Sequence, residues 1–156
     1  MPKGEDDLTP LLGTVETAME PKVVSLRPEQ SLQEAAFDLE RAEVSGAPVV
    51  DGGRVVGMVS LSALFTAAGV EFEKAATSGP WHRYEHALAK SSRSVGDVMT
   101  TTVVMLAPNT PLTEAAAIMR ERGVNRIPIV DADGTLVGIV ARDDIVAAVA
   151  SAGSTD

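Results

Sequence analysis

The chain has 156 residues, of which 45% are hydrophobic, so it can form one compact domain or two very small ones. It contains no cysteine, which excludes disulfides and thiol chemistry, and its net charge of −9 disfavours general nucleic-acid binding. Its apolar runs are far shorter than the roughly 20 residues of a membrane span, and Met1–Asp7 is unlike a signal peptide, so we expect a soluble, cytoplasmic protein.

An internal repeat organises the chain. At a shift of 80 residues, Val15–Asp51 lies over Val95–Asp131 with fourteen identities, where chance would give roughly two or three. After a one-residue insertion, the match resumes at a shift of 81. The repeat predicts an N-terminal tail at 1–14, a first copy at 15–68, a linker with a short helix at 69–93, a second copy at 94–150 and a C-terminal tail at 151–156.

The first copy reads as a β-α-β-β-α unit. A short strand at Val23–Leu26 precedes a helix that opens with a capping box, Ser31–Glu34. A buried strand at Ala47–Val50 and a glycine turn at Asp51–Gly53 lead into a returning strand, Val55–Ser60, and a last helix.

The second copy repeats these elements. After a strand at Val103–Leu106, Thr110 is expected to cap a helix that has Pro111 at its first position and ends at Gly123. A strand, a turn and a returning strand at Leu136–Ala141 then lead to a helix from about Asp143. Because one unit alone has too little core, we predict an α+β fold in which the two units bury their sheet faces on one another. This packing forms a pseudo-twofold pair with two clefts between the copies.

The linker contains both histidines. His82 and His86 would share one face of a helix and could ligate zinc. A zinc site needs three or four ligands and no clear third one is present, so a surface pair is favoured and no metal site is predicted. Trp81 and Tyr84 are interpreted as a packing anchor or as part of a dimer contact.

The spellings Val-x-x-x-Met and Leu-x-Glu-Ala-Ala occur in both copies, whereas x-Pro-Val-Val-Asp occurs in the first and Gly-x-Val-x-x-x-Asp in the second, each with a close variant at the same place in the other copy. They resemble the cystathionine-β-synthase (CBS) domain pair, over residues 15–65 and 95–149. The resemblance implies the fold described above and homodimerisation. It also implies binding of an adenosine ligand, AMP, ADP, ATP or S-adenosylmethionine, in the clefts between the copies.

The resemblance also implies the residues of the better-equipped cleft. Asp144 would be the ribose-binding acid, at the start of the last helix, and Arg126 and Arg142 could bind a phosphate. The other carried-over positions are Asn125, Ile139 and Asp143 of the second copy and Val24, Val44, Ser45 and Gly46 of the first.

Structural interpretations of these residues stay open. Acids at a helix start cap free amides whether or not a ligand binds, and Asp143 is the favoured capping residue. Arg126 could simply pair with a surface acid.

The sequence departs from the family pattern in both clefts. The family usually has Ser or Thr three residues before the acid, where this chain has Ala141. In the other cleft Ser60 keeps the hydroxyl, but Ala63 replaces the acid. We therefore predict one competent cleft and one weak or empty cleft.

The sequence leaves three functional classes to compare. The favoured one is a non-catalytic regulatory module, without a required cofactor, that binds an adenosine nucleotide and transmits its level to a partner protein. The alternative is a structural homodimerisation module with degenerate clefts. An enzyme is disfavoured, because the chain has no thiol, nucleophile elbow, phosphate-binding loop or plausible metal triad.

Overall fold

The structure, a computed structural model, describes residues 13–71 and 85–153. The described chain forms two compact units. The first-repeat unit comprises residues 24–71 and 85–103, and the second-repeat unit comprises residues 13–23 and 104–153. The elements are, in chain order, α1 (Val15–Ala18), α2 (Leu32–Arg41), β1 (Gly46–Asp51), β2 (Arg54–Ser60), α3 (Leu61–Ala67), α4 (Glu85–Lys90), α5 (Val95–Val98), α6 (Leu112–Arg122), β3 (Arg126–Val130), β4 (Leu136–Ala141) and α7 (Arg142–Gly153).

Each unit is built around one antiparallel hairpin with helices packed against it, which confirms the predicted α+β class. β1 pairs with β2, and β3 pairs with β4. Gly52 and Gly53 have φ of 62° and 85°, and Gly134 has φ of 83°. These positive values are the conformations that glycine allows in tight turns, so both predicted turns are confirmed.

The first strand predicted in each copy is reduced to a single residue. Leu26 forms a parallel bridge with Val49, and Leu106 forms one with Ile129. The next residue that could pair, two positions further on, is a proline in both copies. Proline has no N–H to donate, so the pairing cannot extend past Leu26 and Leu106. On the other side of each bridge, residues 23–25 and 103–105 are not in strand pairing.

The predicted capping box at the start of α2 is confirmed. The Glu34 N–H donates to the Ser31 Oγ, and the Ser31 N–H donates to the Glu34 Oε1, each at 3.1 Å. The apolar stripe of this helix, Leu32, Ala35, Ala36 and Leu39, is fully buried. Local sequence signals therefore place both the beginning and the inner face of α2.

The start of α6 differs from the prediction by one position. Pro111 is the N-cap, not Thr110, and no side chain caps the helix. The reason is a pairing with the chain that precedes α1: the Val15 N–H donates to the Thr110 carbonyl, and the Leu112 N–H donates to the Gly13 carbonyl. These long-range bonds satisfy groups that a local cap would otherwise serve.

The segment that opens each repeat packs in the unit of the other repeat. Glu20 and Ile139 exchange two backbone hydrogen bonds, of 2.8 and 3.0 Å, which extend the β4 edge of the second-repeat unit. Thr100 and Met58 exchange bonds of 2.8 and 2.9 Å on β2 of the first-repeat unit. Both bridges satisfy backbone groups at a sheet edge that would otherwise stay unpaired.

Candidate functional site

A polar hollow lies in the second-repeat unit, where the chain before β3 meets the start of α7. The Arg142 N–H donates to the Asn125 carbonyl at 2.8 Å, which holds the two segments together. The hollow has a volume of about 250 Å³, and its lining consists of Asn125, Arg126, Ala141, Arg142 and Asp143. Four of the residues predicted to bind a nucleotide are therefore grouped around one hollow.

Asp144 anchors the start of α7. Its Oδ2 accepts a hydrogen bond of 2.7 Å from the Ala141 N–H, the amide just before the helix. The expectation that Asp143 is the capping acid was therefore wrong, because the third residue of a helix, not the second, is placed to reach back to that amide. The carboxylate of Asp144 keeps its other oxygen as an acceptor, so capping and ligand binding are compatible.

The corresponding helix start in the first-repeat unit has the complementary chemistry. The Ser60 Oγ accepts the Ala63 N–H at 3.1 Å and lies 3.1 Å from the Ser62 Oγ. Ala63 offers no carboxylate at the position of Asp144. Each helix start thus has one half of a capping box, the hydroxyl in the first repeat and the acid in the second.

Ile139 lies on β4, opposite Pro128 of β3, and on its other side it is bonded to Glu20. The sequence interpretation did not include Glu20. The only sequence feature that could have pointed to Glu20 is its place directly after Met19, the last residue of the Val-x-x-x-Met spelling.

The residues predicted from the first copy lie in the first-repeat unit. The Val44 N–H donates to the Leu39 carbonyl at the end of α2, and the Ser45 carbonyl accepts the Leu61 N–H at the start of α3. Gly46 begins β1, and Val24 is half-buried. The predicted set is therefore divided between the two units, and its assembly into one binding site stays a prediction.

The charges around the polar hollow suit an anion. Arg126 and Arg142 bring two guanidinium groups, and Asp143 brings one carboxylate. Arg142 is exposed and has no ion pair with any residue of the described chain. Exposed guanidinium groups at the start of a helix can form charge-assisted hydrogen bonds to a phosphate.

A second hollow, which the sequence interpretation missed, opens between α6 and α7. We call it the α6–α7 groove; its volume is about 320 Å³, and its apolar lining consists of Ala116, Met119, Val124, Ile145 and Val146. Arg120 and Arg142 also line it. The apolar stripe of α6 is buried at Leu112, Ala115 and Met119 and half-buried at Ala116, so the groove opens along the edge of this stripe.

The residues that the structure describes include no group of three or more acidic or histidine side chains that could hold a metal ion. His86 is exposed on α4, whereas His82, Trp81 and Tyr84 lie outside the described residues. None of the helices in the described parts of the chain combines the length and apolar character needed to cross a bilayer.

Comparison with known proteins identifies the family of this fold. The family model of the CBS domain matches the chain twice, over residues 14–69 and 95–151. The chain belongs to the CBS domain family. Among its relatives, the CBS domain-containing protein YhcV of Bacillus subtilis is 30% identical over 137 residues, which cover 86% of this chain and 84% of YhcV.

Two plant proteins of the CBS family are also similar. The chloroplastic CBS domain-containing protein CBSX1 of Arabidopsis thaliana is 33% identical over 135 residues, or 79% of this chain, and the chain spans only 57% of CBSX1. The crystal structure of the CBS-pair protein CBSX2 from Arabidopsis thaliana superposes with a TM-score of 0.74 at 30% identity, covering 92% of this chain and 99% of the crystallised CBSX2 chain. CBSX2 in complex with AMP superposes with a TM-score of 0.71 at 29% identity, covering 89% and 97%.

Proposed function

We propose that this CBS-domain pair is a non-catalytic regulatory module that binds an adenosine nucleotide, AMP, ADP, ATP or S-adenosylmethionine, and transmits its level to a partner protein. The start of α7 is the centre of the proposed site. The observation that carries the proposal is the polar hollow of Asn125, Arg126, Arg142 and Asp143 beside the anchored carboxylate of Asp144.

Different residues of the proposed site would bind different parts of the nucleotide. The bond from Ala141 holds the Asp144 carboxylate in one orientation, so it is preorganised to accept ribose hydroxyls. Arg126 and Arg142 supply donors for a phosphate. CBSX2, which has been crystallised with AMP and covers nearly the whole chain, supports an adenosine ligand over other anions.

Regulation requires two states of the module. A ligand shifts an equilibrium only by the difference between its affinities for the two states. We therefore expect the partner to bind the nucleotide-loaded and free forms with different affinities, and a nucleotide-dependent pull-down would measure this difference.

Thermal melting with and without each adenosine ligand tests the binding itself. A ligand at 100 times its Kd should add about 2.7 kcal/mol to the free energy of unfolding. Asp144→Asn should remove most of this stabilisation. The amide oxygen of the substituted side chain can still accept the Ala141 N–H, so the ligand-free protein should melt close to the wild type.

Asp133→Asn is the matched control, because it makes the same change of charge at an exposed residue of the β3–β4 turn. It should leave the ligand-induced shift intact. A shift that is unchanged in Asp144→Asn would show that the nucleotide binds elsewhere. No shift with any of the four ligands would contradict the proposal.

The second candidate function is a structural homodimerisation module. The replacement of the acid by Ala63 in the first repeat favours it, because one of the two sites then lacks its ribose acceptor. The homodimer and the cytoplasmic location are both proposed from the family resemblance. Analytical sedimentation would measure whether the protein is a dimer. A dimer without any nucleotide-dependent change would support the scaffold.

A further inference from the structure

An acidic hollow lies in the first-repeat unit, where α4 packs on α2. Its volume is about 420 Å³, and its lining consists of Gln30, Gln33, Glu34, Phe37, Asp38 and Glu85. The lining therefore holds three carboxylates and no basic side chain. Phe37 is 47% exposed, so this acidic hollow combines negative charge with an aromatic ring that is in contact with water.

Two of the three carboxylates are held in place by hydrogen bonds within their own unit. Gln30, which is only 5% exposed, donates from its Nε2 to the Asp38 Oδ2 at 2.9 Å. The Glu34 Oε1 accepts the Ser31 N–H at 3.1 Å. None of the three carboxylates has an ion pair with the described part of the chain. Charges that are already fixed lose little conformational freedom when they meet a partner, so they are suited to an interface.

The Phe37 ring already attracts one cation. The guanidinium carbon of Arg41 lies 5.4 Å from the centroid of the ring, which is within the range of a cation–π contact. Three carboxylates against this one guanidinium leave the surroundings of Phe37 negative. The surface is therefore suited to a partner that brings both apolar and basic groups.

The α6–α7 groove of the second-repeat unit has the opposite charge. Arg120 and Arg142 line it, and no acidic side chain does. Neither arginine has an ion pair with the described part of the chain. Val146, in its apolar wall, is 57% exposed. Exposed apolar surface with a polar rim usually marks a place where another protein surface packs.

Two copies of the chain could bring these surfaces together in two ways. Contact between like surfaces would place carboxylates against carboxylates and guanidinium groups against guanidinium groups, which costs free energy. Contact between unlike surfaces would pair the opposite charges and give the exposed Phe37 ring an apolar groove to enter.

We propose that the homodimer of this chain is head-to-tail, so that the acidic hollow of one copy packs on the α6–α7 groove of the other, with Phe37 in the groove. The inference rests on the proposed homodimer and assigns its orientation. A twofold axis forms the same contact twice, because each copy supplies one hollow and one groove. An aromatic side chain inside a rim of charges is the usual centre of such an interface.

The absence of cysteine from the sequence allows a direct test by cross-linking. Gln33→Cys places a thiol on α2 one turn before Phe37, and Val149→Cys places one on α7 one turn after Val146, so both contact residues stay intact. The two variant chains, only one of which carries an affinity tag, are mixed, allowed to exchange subunits and treated with a short bismaleimide. We expect the mixed pair to link about tenfold faster or more than either variant alone, because the dimer holds the two thiols together.

The pattern of linked species separates the alternatives, since a chain with one thiol cannot link to itself. Faster linking of either variant alone would show that like surfaces meet and would overturn the head-to-tail orientation. Equal rates in all three samples would also overturn it. A protein that sediments as a monomer would overturn the homodimer together with its orientation. None of these results depends on nucleotide binding, which thermal melting measures separately.

Charge reversal gives a second readout without cysteine. Glu85→Lys and Arg120→Glu should each raise the Kd of the dimer about threefold or more, and the two changes combined in one chain should recover most of the lost affinity. Glu16→Lys, at an exposed residue of α1, makes the same change of charge as Glu85→Lys and should leave the Kd near the wild-type value. A tighter dimer after either single change would show that like charges face each other, and would contradict the proposal.

Discussion

Met19 packs its side chain over Gly138, so that a β-carbon at residue 138 would lie 2.9 Å from the Met19 Cγ. Met99 lies over Gly57 in the same way, and a β-carbon there would lie 2.5 Å from its Sδ. The methionine of each repeat thus packs against a glycine on the returning strand of the other repeat. The lack of a side chain at these glycines permits this close packing.

We predict that alanine at these glycines destabilises the fold unequally. At residue 57 the new β-carbon would also lie 3.0 Å from the carbonyl oxygen of Thr100, whose backbone is bonded to Met58, whereas at residue 138 the three nearest atoms all belong to the flexible Met19 side chain. Gly57→Ala should lower the free energy of unfolding by about 2 kcal/mol and Gly138→Ala by about 1 kcal/mol. Urea denaturation would measure both.

A double-mutant cycle checks the cause. Met19→Ala should relieve most of the strain of Gly138→Ala, so the two free-energy changes should not add. If the free-energy changes of the two single variants simply added, Met19 would not be the side chain for which residue 138 must be glycine.

The end of α2 carries a residue in an unfavourable conformation. Glu43 has φ of 58°, while Gly123 occupies the corresponding position after α6 with φ of 66°. Glu43→Gly should raise the free energy of unfolding by roughly 0.5 kcal/mol, and Gly123→Glu should lower it by about 1 kcal/mol, because a β-carbon is disfavoured in the left-handed region. Chemical denaturation would measure both changes. Glu43→Gln keeps the β-carbon and should have almost no effect.

Asp97 should make stability depend on pH in the acid range. Its carboxylate accepts the Ser94 N–H at 2.8 Å and the Ser94 Oγ–H at 3.2 Å. The backbone bond is the main cause that lowers the pKa of Asp97 below the usual 3.8, with help from the serine hydroxyl and Arg93. As the pH falls, the unfolded chain binds the proton first, so this contribution is present above about pH 4 and is lost as the pH falls through the folded pKa.

Melting temperatures measured between pH 5 and pH 2 would check this dependence. This range brackets the usual carboxyl pKa of about 4. Asp97→Asn should flatten the decline relative to the wild type. Asp133→Asn, in an exposed turn, should leave the decline unchanged. Identical pH profiles for the wild type and Asp97→Asn would rule out this contribution.

Restoring the missing acid of the first repeat should restore a ligand site, if the proposed function holds. In Ala63→Asp the carboxylate can accept the Ser60 N–H, as Asp144 accepts the Ala141 N–H, which should stabilise α3 by about 0.5–1 kcal/mol. Calorimetric titration with an adenosine ligand should then show a rise from one bound ligand per chain to two. Thr66→Asp, on the exposed side of α3, is the charge-matched control and should add none.

Much of this architecture could be predicted because its signals are local. The capping box at Ser31, the glycine turns at Gly52 and Gly134 and the left-handed residue Gly123 each depend on the conformation of a few neighbouring residues. The repeat itself is visible because both copies use the same local signals at constant spacing. The candidate residues Asn125 and Arg142 came from the family resemblance, and the structure brings them together through the bond from the Arg142 N–H to the Asn125 carbonyl.

The sequence by itself determined that there are two copies of one α+β unit and where their helices and turns lie. Only the tertiary structure decided that α1 and α5 pack in the unit of the opposite repeat, that the first strands shrink to single bridges, and that Asp144 caps the start of α7. It also showed the α6–α7 groove, which no sequence pattern indicates. The physical reason is that backbone pairing and packing between distant segments depend on which groups meet in space, and such encounters leave no periodic pattern in the chain.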